Sequence, residues 1–138
     1  MSSTKIRKAL REGNIQRANA YLDQFFIFST ILKKDDQKCE ILRHDCFGML
    51  KEEDEKLVPA DGVYAVSAAL SHSNEKGLVH IFSGSVAFFP LMNHTFENGM
   101  NTIISFRRQL RPLMHKGSGD YNIEQLRRDL ASVEALIY

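Results

Sequence analysis

The chain contains little cysteine, and this limits how its fold is stabilised. Only Cys39 and Cys46 occur in 138 residues, seven positions apart. On one helix that spacing separates them by about 10 Å, which is too far for a disulfide. We therefore expect two free, partly buried thiols rather than the disulfide framework of a small secreted domain.

Long apolar runs and a signal peptide are also missing. The longest apolar candidate, residues 78–92, is interrupted by His80, Gly84 and Pro90, whereas a membrane-spanning helix needs about 20 apolar residues. The basic N-terminus is followed by the polar residues 13–19 instead of an apolar core. These features predict a cytoplasmic or nuclear protein that is neither secreted nor inserted in a membrane.

Local catalytic and ligand-binding motifs are absent from the sequence. There is no glycine-rich phosphate loop, no dinucleotide fingerprint and no Gly-x-Ser-x-Gly nucleophile turn. Cys39, His44 and Cys46 do not have the paired spacing of a zinc site. We therefore expect no metal and no cofactor, and we do not favour an enzyme. A small thiol-dependent enzyme that pairs Cys46 with a distant histidine such as His80 is the third functional hypothesis.

The apolar residues that are present predict a mainly α fold. With 43% apolar and 25% charged residues, the chain has the composition of one globular domain. We expect a compact single-domain helical bundle of about six or seven helices. Its parts would be a helical hairpin at residues 4–34, an uncertain middle at 36–92 and a helix pair at 96–138.

Helical periodicity is clearest at the two ends of the chain. Gly13-Asn14 suits a turn between a first helix and a second helix over residues 14–32, because both residues tolerate a left-handed backbone. Two further helices are predicted over residues 96–115 and 120–138, since apolar residues recur there at helical spacing. The stripe of the first is Phe96, Met100, Ile103, Ile104 and Leu110, and that of the second is Ile123, Leu126, Leu130, Val133 and Ile137.

The middle of the chain fits either helices or strands. Its short apolar runs do not distinguish the two by period alone. The alternative fold is therefore α+β, with a short central antiparallel meander in residues 62–90.

Charge is unevenly distributed along the chain, although the formal net charge is only +1. The first 20 residues carry five basic groups and one acidic group, whereas residues 35–61 carry nine acidic and four basic groups. A basic helix face favours contact with phosphates, but no aromatic residue is interleaved with it to support base stacking. The candidate polyanion-binding residues are Lys5, Lys8, Arg11, Arg107, Arg108 and Arg111.

Nine phenylalanines are many for a chain of this length, and several are adjacent. Adjacent side chains cannot all face one core, so some of them are candidates for an interface. We therefore expect a small non-enzymatic regulatory or adaptor protein that binds another protein and forms a homodimer. The alternative is a nucleic-acid-binding regulator that uses the basic N-terminal helix hairpin. The candidate interface residues are Phe25, Phe26, Phe28, Phe88 and Phe89.

Overall fold

The computed structural model describes residues 3–49, 59–69, 74–82, 85–92, 96–112 and 122–136. Within these residues, six antiparallel strands close into a barrel in the order β1-β2-β5-β4-β3-β6, accompanied by four helices. In chain order the elements are α1 (Ser3–Arg11), α2 (Ile15–Leu22), β1 (Phe26–Lys34), α3 (Asp36–Leu42), β2 (Phe47–Met49), β3 (Gly62–Ala69), β4 (Asn74–Phe82), β5 (Ser85–Pro90), β6 (Asn101–Pro112) and α4 (Ile123–Ala135).

The barrel shows that the expected bundle of six or seven helices is wrong. The second helix of the predicted hairpin ends at Leu22, where Asp23 adopts a left-handed conformation with φ 57°. The chain then continues as β1. The helix predicted over residues 96–115 is replaced by β6. The all-α assignment is corrected to a β-barrel with short helices.

The physical reason for this correction is the period of burial. Ile104 of β6 is fully buried, whereas its neighbour Ile103 is 45% exposed. Such alternation is the geometry of a strand, in which successive side chains point to opposite faces, whereas on a helix they are only about 100° apart. In β1 the buried residues Phe28, Thr30 and Leu32 alternate with the exposed residues Ile27 and Ile31.

The alternative expectation of a short central meander in residues 62–90 is corrected as well. Strands do run through this region as β3, β4 and β5, and β4 pairs with both of its neighbours. However, β3 also pairs with β6, and β5 also pairs with β2. The meander is therefore half of a closed barrel rather than a separate sheet inside a helical protein.

Aromatic and aliphatic side chains fill the interior of the barrel. The ring of Tyr64 packs edge-on against Phe106 with 5.5 Å between centroids, and Phe88 packs in the same way against Phe96 at 5.2 Å. Phe28 lies in the same inner core. Because these rings occupy the interior, surfaces on the outside of the barrel are the places to look for binding.

The two N-terminal helices pack against this inner core. Gly13 adopts φ 74°, and the Asn14 side chain then accepts a hydrogen bond from the backbone of Arg17 to cap α2. The turn directs Leu10 and Ile15 into the core together with Ala9 and Ala18. The predicted Gly13-Asn14 turn thus forms, and it fixes the orientation of α1 relative to the barrel.

A second core lies outside the barrel, beneath α4. Val63 and Ala65 of β3 point into this outer core, while the intervening Tyr64 points into the barrel. Leu126 and Val133 of α4 cover them, as the predicted C-terminal stripe implies, although Ile137 of that stripe lies outside the described residues. β3 is therefore buried on both faces.

The four helices are between seven and thirteen residues long. In the part of the chain that the structure describes, none of them has the length and apolar character needed to cross a bilayer.

Candidate functional site

The exposed side of α1 forms a basic surface. Ala9 and Leu10 face the core, which leaves the basic side chains of the helix on the opposite side, and no acidic residue occurs between Ser3 and Arg11. We define the basic helix surface as the four exposed side chains Lys5, Arg7, Lys8 and Arg11. Sequence reasoning identified three of them, and Arg7 joins them because only one side of this short helix is buried.

An aromatic ring lies beside the basic helix surface. The ammonium group of Lys5 is 6.0 Å from the ring centroid of Tyr21, a half-buried residue near the end of α2. This proximity is not evident from local sequence spacing, because the ring comes from the second helix of the hairpin. The expectation that no aromatic accompanies the basic residues therefore needs revision, since the fold brings one to them.

The three predicted basic residues of β6 lie in a different arrangement. Arg111 makes a bidentate pair with Asp129 of α4, with Nε–Oδ1 at 3.3 Å and Nη2–Oδ2 at 3.0 Å. Arg108 is exposed. The Arg107 guanidinium carbon is 3.7 Å from the ring centroid of Phe25, within the range of a cation–π contact. These residues therefore sit on the barrel wall, and Arg111 helps to hold α4 in place.

An apolar surface lies on the outer side of β1 and β6. Ser29 is paired with Ile103, so Ile27 and Ile31 occupy the two diagonal positions around Ile103 on the same face. The pair Phe26–Phe106 makes Phe25 and Arg107 the next outward pair. We define the β1–β6 outer face as Phe25, Ile27, Ile31 and Ile103, which are 43%, 50%, 36% and 45% exposed.

The predicted interface phenylalanines separate into different environments. Phe25 is exposed on the β1–β6 outer face, whereas Phe26 is partly buried against the inner core. Phe28 and Phe88 lie inside the barrel, and Phe89 lies in the outer core. Adjacent phenylalanines in strands point in opposite directions, and this explains how so many rings are accommodated.

A cleft of about 540 Å³ lies between α3 and the barrel. Lys33, Lys34 and Lys38 line it together with Asp35 and Asp36. Its charges are of both signs, so it does not present the uniformly basic surface found on α1.

Cys46 does not have the properties of a catalytic thiol. Burial raises the pKa of Cys46 to about 12, so its thiolate is scarce at neutral pH. Cys39 Sγ accepts a hydrogen bond from the Cys46 backbone N at 3.2 Å. Both cysteines are free. This arrangement weighs against the thiol-dependent enzyme of the third hypothesis.

The histidine on β4 is also held in one protonation state. Burial, together with the positive charges of Lys38 and Arg111, lowers the pKa of His80 to about 4. His80 is therefore neutral at pH 7. Among the described residues there is no group of three or more His, Cys, Asp or Glu side chains arranged to hold a metal ion.

Comparison with known proteins supports the fold. No protein-family model and no curated protein matches the chain. Among solved structures, the chain is similar to the crystal structure of a macrolide-efflux protein from Streptococcus pneumoniae, with a TM-score of 0.82 and 17% sequence identity. The match covers 99% of this chain and 47% of that chain. At this identity the similarity extends to the fold alone, so the chain has the fold of roughly half of that structure.

Proposed function

We propose that this protein binds nucleic acid through the basic helix surface. The observation that carries the proposal is the exposed basic side of α1 with the Tyr21 ring beside Lys5. Ammonium and guanidinium groups contact phosphates, and an aromatic ring offers a base a platform for stacking. Because such contacts follow the backbone and the faces of the bases, the proposed binding has little sequence preference.

The rigidity of the hairpin supports this proposal. Leu10 and Ile15 anchor α1 and α2 in the inner core, so the basic side chains project from a fixed support. Lys5, Lys8 and Arg11 are spaced by three residues, which places their successive Cβ atoms about 5–6 Å apart on one side of the helix. Binding therefore needs little ordering of the protein backbone, and the main energetic gain is the release of counterions from the strand.

The experiment is a salt series of fluorescence anisotropy titrations with a 20-nucleotide single strand of RNA or DNA. If Lys5, Lys8 and Arg11 each contact one phosphate, the plot of log affinity against log salt concentration should have a slope of about −2. The double variant Lys8→Ala/Arg11→Ala should bind more weakly, and its slope should be smaller in magnitude by about 1.4. Tyr21→Ala should weaken binding while leaving the salt slope nearly unchanged.

The matched control removes the same charge elsewhere. Arg127→Ala/Arg128→Ala deletes two exposed arginines from α4 and should leave binding near wild type. Equal losses in the two double variants would show non-specific electrostatics and refute the proposed surface. Inorganic polyphosphate serves as the second probe, because it carries phosphates but no bases. If Tyr21→Ala weakened the binding of polyphosphate as much as that of the nucleic acid, stacking of a base on Tyr21 would be contradicted.

A regulatory or adaptor function through protein binding is the second candidate. The β1–β6 outer face favours it, because four large apolar side chains form one exposed patch on the barrel. A persistent homodimer buries about 800 Å² on each partner, whereas a four-residue patch is considerably smaller. Docking of a partner segment fits the patch better than a homodimer does. Light scattering at high protein concentration tests the homodimer directly.

The name of the structurally similar protein refers to macrolide efflux, and this activity is not part of our proposal. The similarity extends only to the fold, and the barrel interior of this chain is filled by rings such as Phe28 and Phe106. For location, we propose the interior of the cell, where reducing conditions keep thiols such as Cys39 and Cys46 free.

A further inference from the structure

Unlike the wall beneath α4, the β1–β6 outer face is exposed and carries none of the described helices. On β3, β4 and β5, the outward residues Ala65, Leu78 and Phe89 are at most 2% exposed and lie in the outer core beneath α4. On β1 and β6 the outward isoleucines are paired with Ser105, Ser29 and Asn101, and Ile27 is 50% and Ile103 is 45% exposed. The outside of the barrel thus has two areas with apolar side chains. The first is covered by the amphipathic helix α4, and the second is the β1–β6 outer face.

The charged residues within the two strands of the β1–β6 outer face have one sign. β1 (Phe26–Lys34) and β6 (Asn101–Pro112) contain no acidic residue between them. Lys33 follows Ile31 in the outward positions of β1, and Arg107 and Arg108 lie at the opposite end of the patch. Arg107 and Arg108 make the Phe25 end of the patch basic, which complements an acidic partner. At the other end, Lys33 also lines the cleft that contains Asp35 and Asp36.

The dimensions of the patch fit a helix. Phe25 and Lys33 are eight residues apart along β1, a distance of about 27 Å at the usual strand rise. A helix of about 18 residues has the same length. α4 shows that this barrel accepts such a partner, because it lays Leu126 and Val133 of a 13-residue helix on the outer positions of the neighbouring strands.

From these observations we infer that the β1–β6 outer face docks an acidic amphipathic helix of another protein. Its apolar side chains would contact Ile27, Ile31 and Ile103, and its carboxylates would face Lys33 and Arg108. Arg107, held on the Phe25 ring, presents a positive charge next to the apolar surface. The inference names the partner class for the second candidate function and is independent of nucleic-acid binding by α1.

The test uses three synthetic 18-residue helical peptides that share one leucine face. Their remaining positions carry mainly Glu, mainly Gln or mainly Lys, and affinities are measured by isothermal titration calorimetry with the whole chain. We expect the Glu peptide to bind at least tenfold more tightly than the Gln peptide, and the Lys peptide to bind most weakly. Added salt should reduce the advantage of the Glu peptide.

Two variants of the chain locate the binding. Ile27→Asp/Ile103→Asp should weaken the Glu peptide by at least tenfold, because both positions are exposed and their replacement leaves the core intact. The milder Ile27→Ser/Ile103→Ser reports on the same face if the aspartates disturb the strand pairing. Ile41→Asp is the matched control, since Ile41 of α3 is 67% exposed and lies outside the patch. It should change the affinity by less than twofold.

Several outcomes would overturn the inference. Absence of Glu-peptide binding up to 1 mM refutes the docking surface, and so does equal binding to wild type and the Ile27→Asp/Ile103→Asp variant. If the Gln peptide binds this face as tightly as the Glu peptide, protein binding stands but the acidic class of partner is wrong. If light scattering shows a dimer that Ile103→Asp dissociates, the occupant is a second copy of the chain.

Discussion

At the residue scale, Gly77 of β4 has no room for a side chain because the Phe88 ring lies beside it. A Cβ placed on Gly77 would be 2.8 Å from Phe88 Cζ, closer still to Cε1, and 3.1 Å from the Phe89 carbonyl oxygen. The Phe88 ring cannot move away easily, because it is fully buried and packs against Phe96 at 5.2 Å. The glycine is required here for space rather than for its backbone conformation.

We predict that Gly77→Ala lowers the free energy of unfolding by about 1–3 kcal/mol, since a methyl group overpacks the core. The matched control is Gly48→Ala in β2, where the nearest atom to the new Cβ is the Lys33 carbonyl oxygen at 3.7 Å. This control should stay within about 0.5 kcal/mol of wild type. Urea unfolding followed by circular dichroism measures both, and equal effects at the two positions would contradict the packing described for β4 and β5.

A second residue-scale prediction concerns His80. Its pKa is about 4 in the folded chain and near 6.5 when unfolded, so the unfolded chain binds more protons between these pH values. Stability from this group is therefore complete above pH 6.5 and decreases as the pH falls towards 4. Allowing for the partial exposure of the ring, we expect a loss of about 2 kcal/mol over this interval.

The measurement is the free energy of unfolding from pH 7 to pH 4 for wild type and His80→Gln. The glutamine variant has no imidazole to protonate, so its stability should fall less steeply than that of the wild type. Acidic groups titrate in both proteins and cancel in the difference. Parallel curves would show that burial of His80 does not oppose its protonation.

At the element scale, α4 is stabilised by a reciprocal cap at its start. The Asn122 side chain accepts from the Gln125 backbone N at 2.9 Å, and the Gln125 side chain accepts from the Asn122 backbone N at 3.2 Å. These bonds satisfy two donors that the first turn of a helix leaves unpaired. The Arg111–Asp129 pair then ties the middle of α4 to β6.

We predict that Asn122→Ala destabilises the protein by about 1 kcal/mol through loss of this cap. Ser132→Ala is the control within the same helix, because the Ser132 hydroxyl donates to the Arg128 carbonyl in the exposed part of α4. Its replacement should be neutral or slightly stabilising. Thermal unfolding compares the two, and a larger effect at Ser132 would contradict the capping role.

The elements also show what sequence patterns can predict. The turn at Gly13-Asn14 and the apolar face of α4 depend on nearby residues, and both are found in the structure. β1 and β6 depend on each other, although 70 residues separate the partners Ile31 and Asn101. The apolar residues around Ile103 and Ile104 also fit helical spacing, so the sequence pattern favoured a helix there. The strand pattern, with alternate residues buried, becomes visible only once the pairing with distant strands is known.

At the scale of the whole molecule, the two proposed surfaces belong to different parts of the fold. The basic helix surface rests on the hairpin, and the spacing of Lys5, Lys8 and Arg11 within one helix was sufficient to predict its exposed side. The β1–β6 outer face exists only because the barrel closes. The contacts of Arg107 with Phe25 and of Arg111 with Asp129 likewise join distant segments, so no local pattern predicts them.

This separation has a practical result for the binding experiments. Variants on α1 and variants on the β1–β6 outer face remove different side chains and leave both cores unchanged. Loss of nucleic-acid binding and loss of peptide binding should therefore be separable in the same protein. The acidic run at residues 52–55 lies outside the described residues, so neither proposal depends on it.

The double burial of β3 has a consequence for how this chain can change over time. Tyr64 and Val66 fill the barrel, while Val63 and Ala65 seat α4, so each replacement along the strand disturbs one core or the other. Neither side tolerates a charge or a large increase in volume. We expect amino-acid substitutions to accumulate most slowly in this segment. The exposed positions of α1 should accept substitutions much more freely.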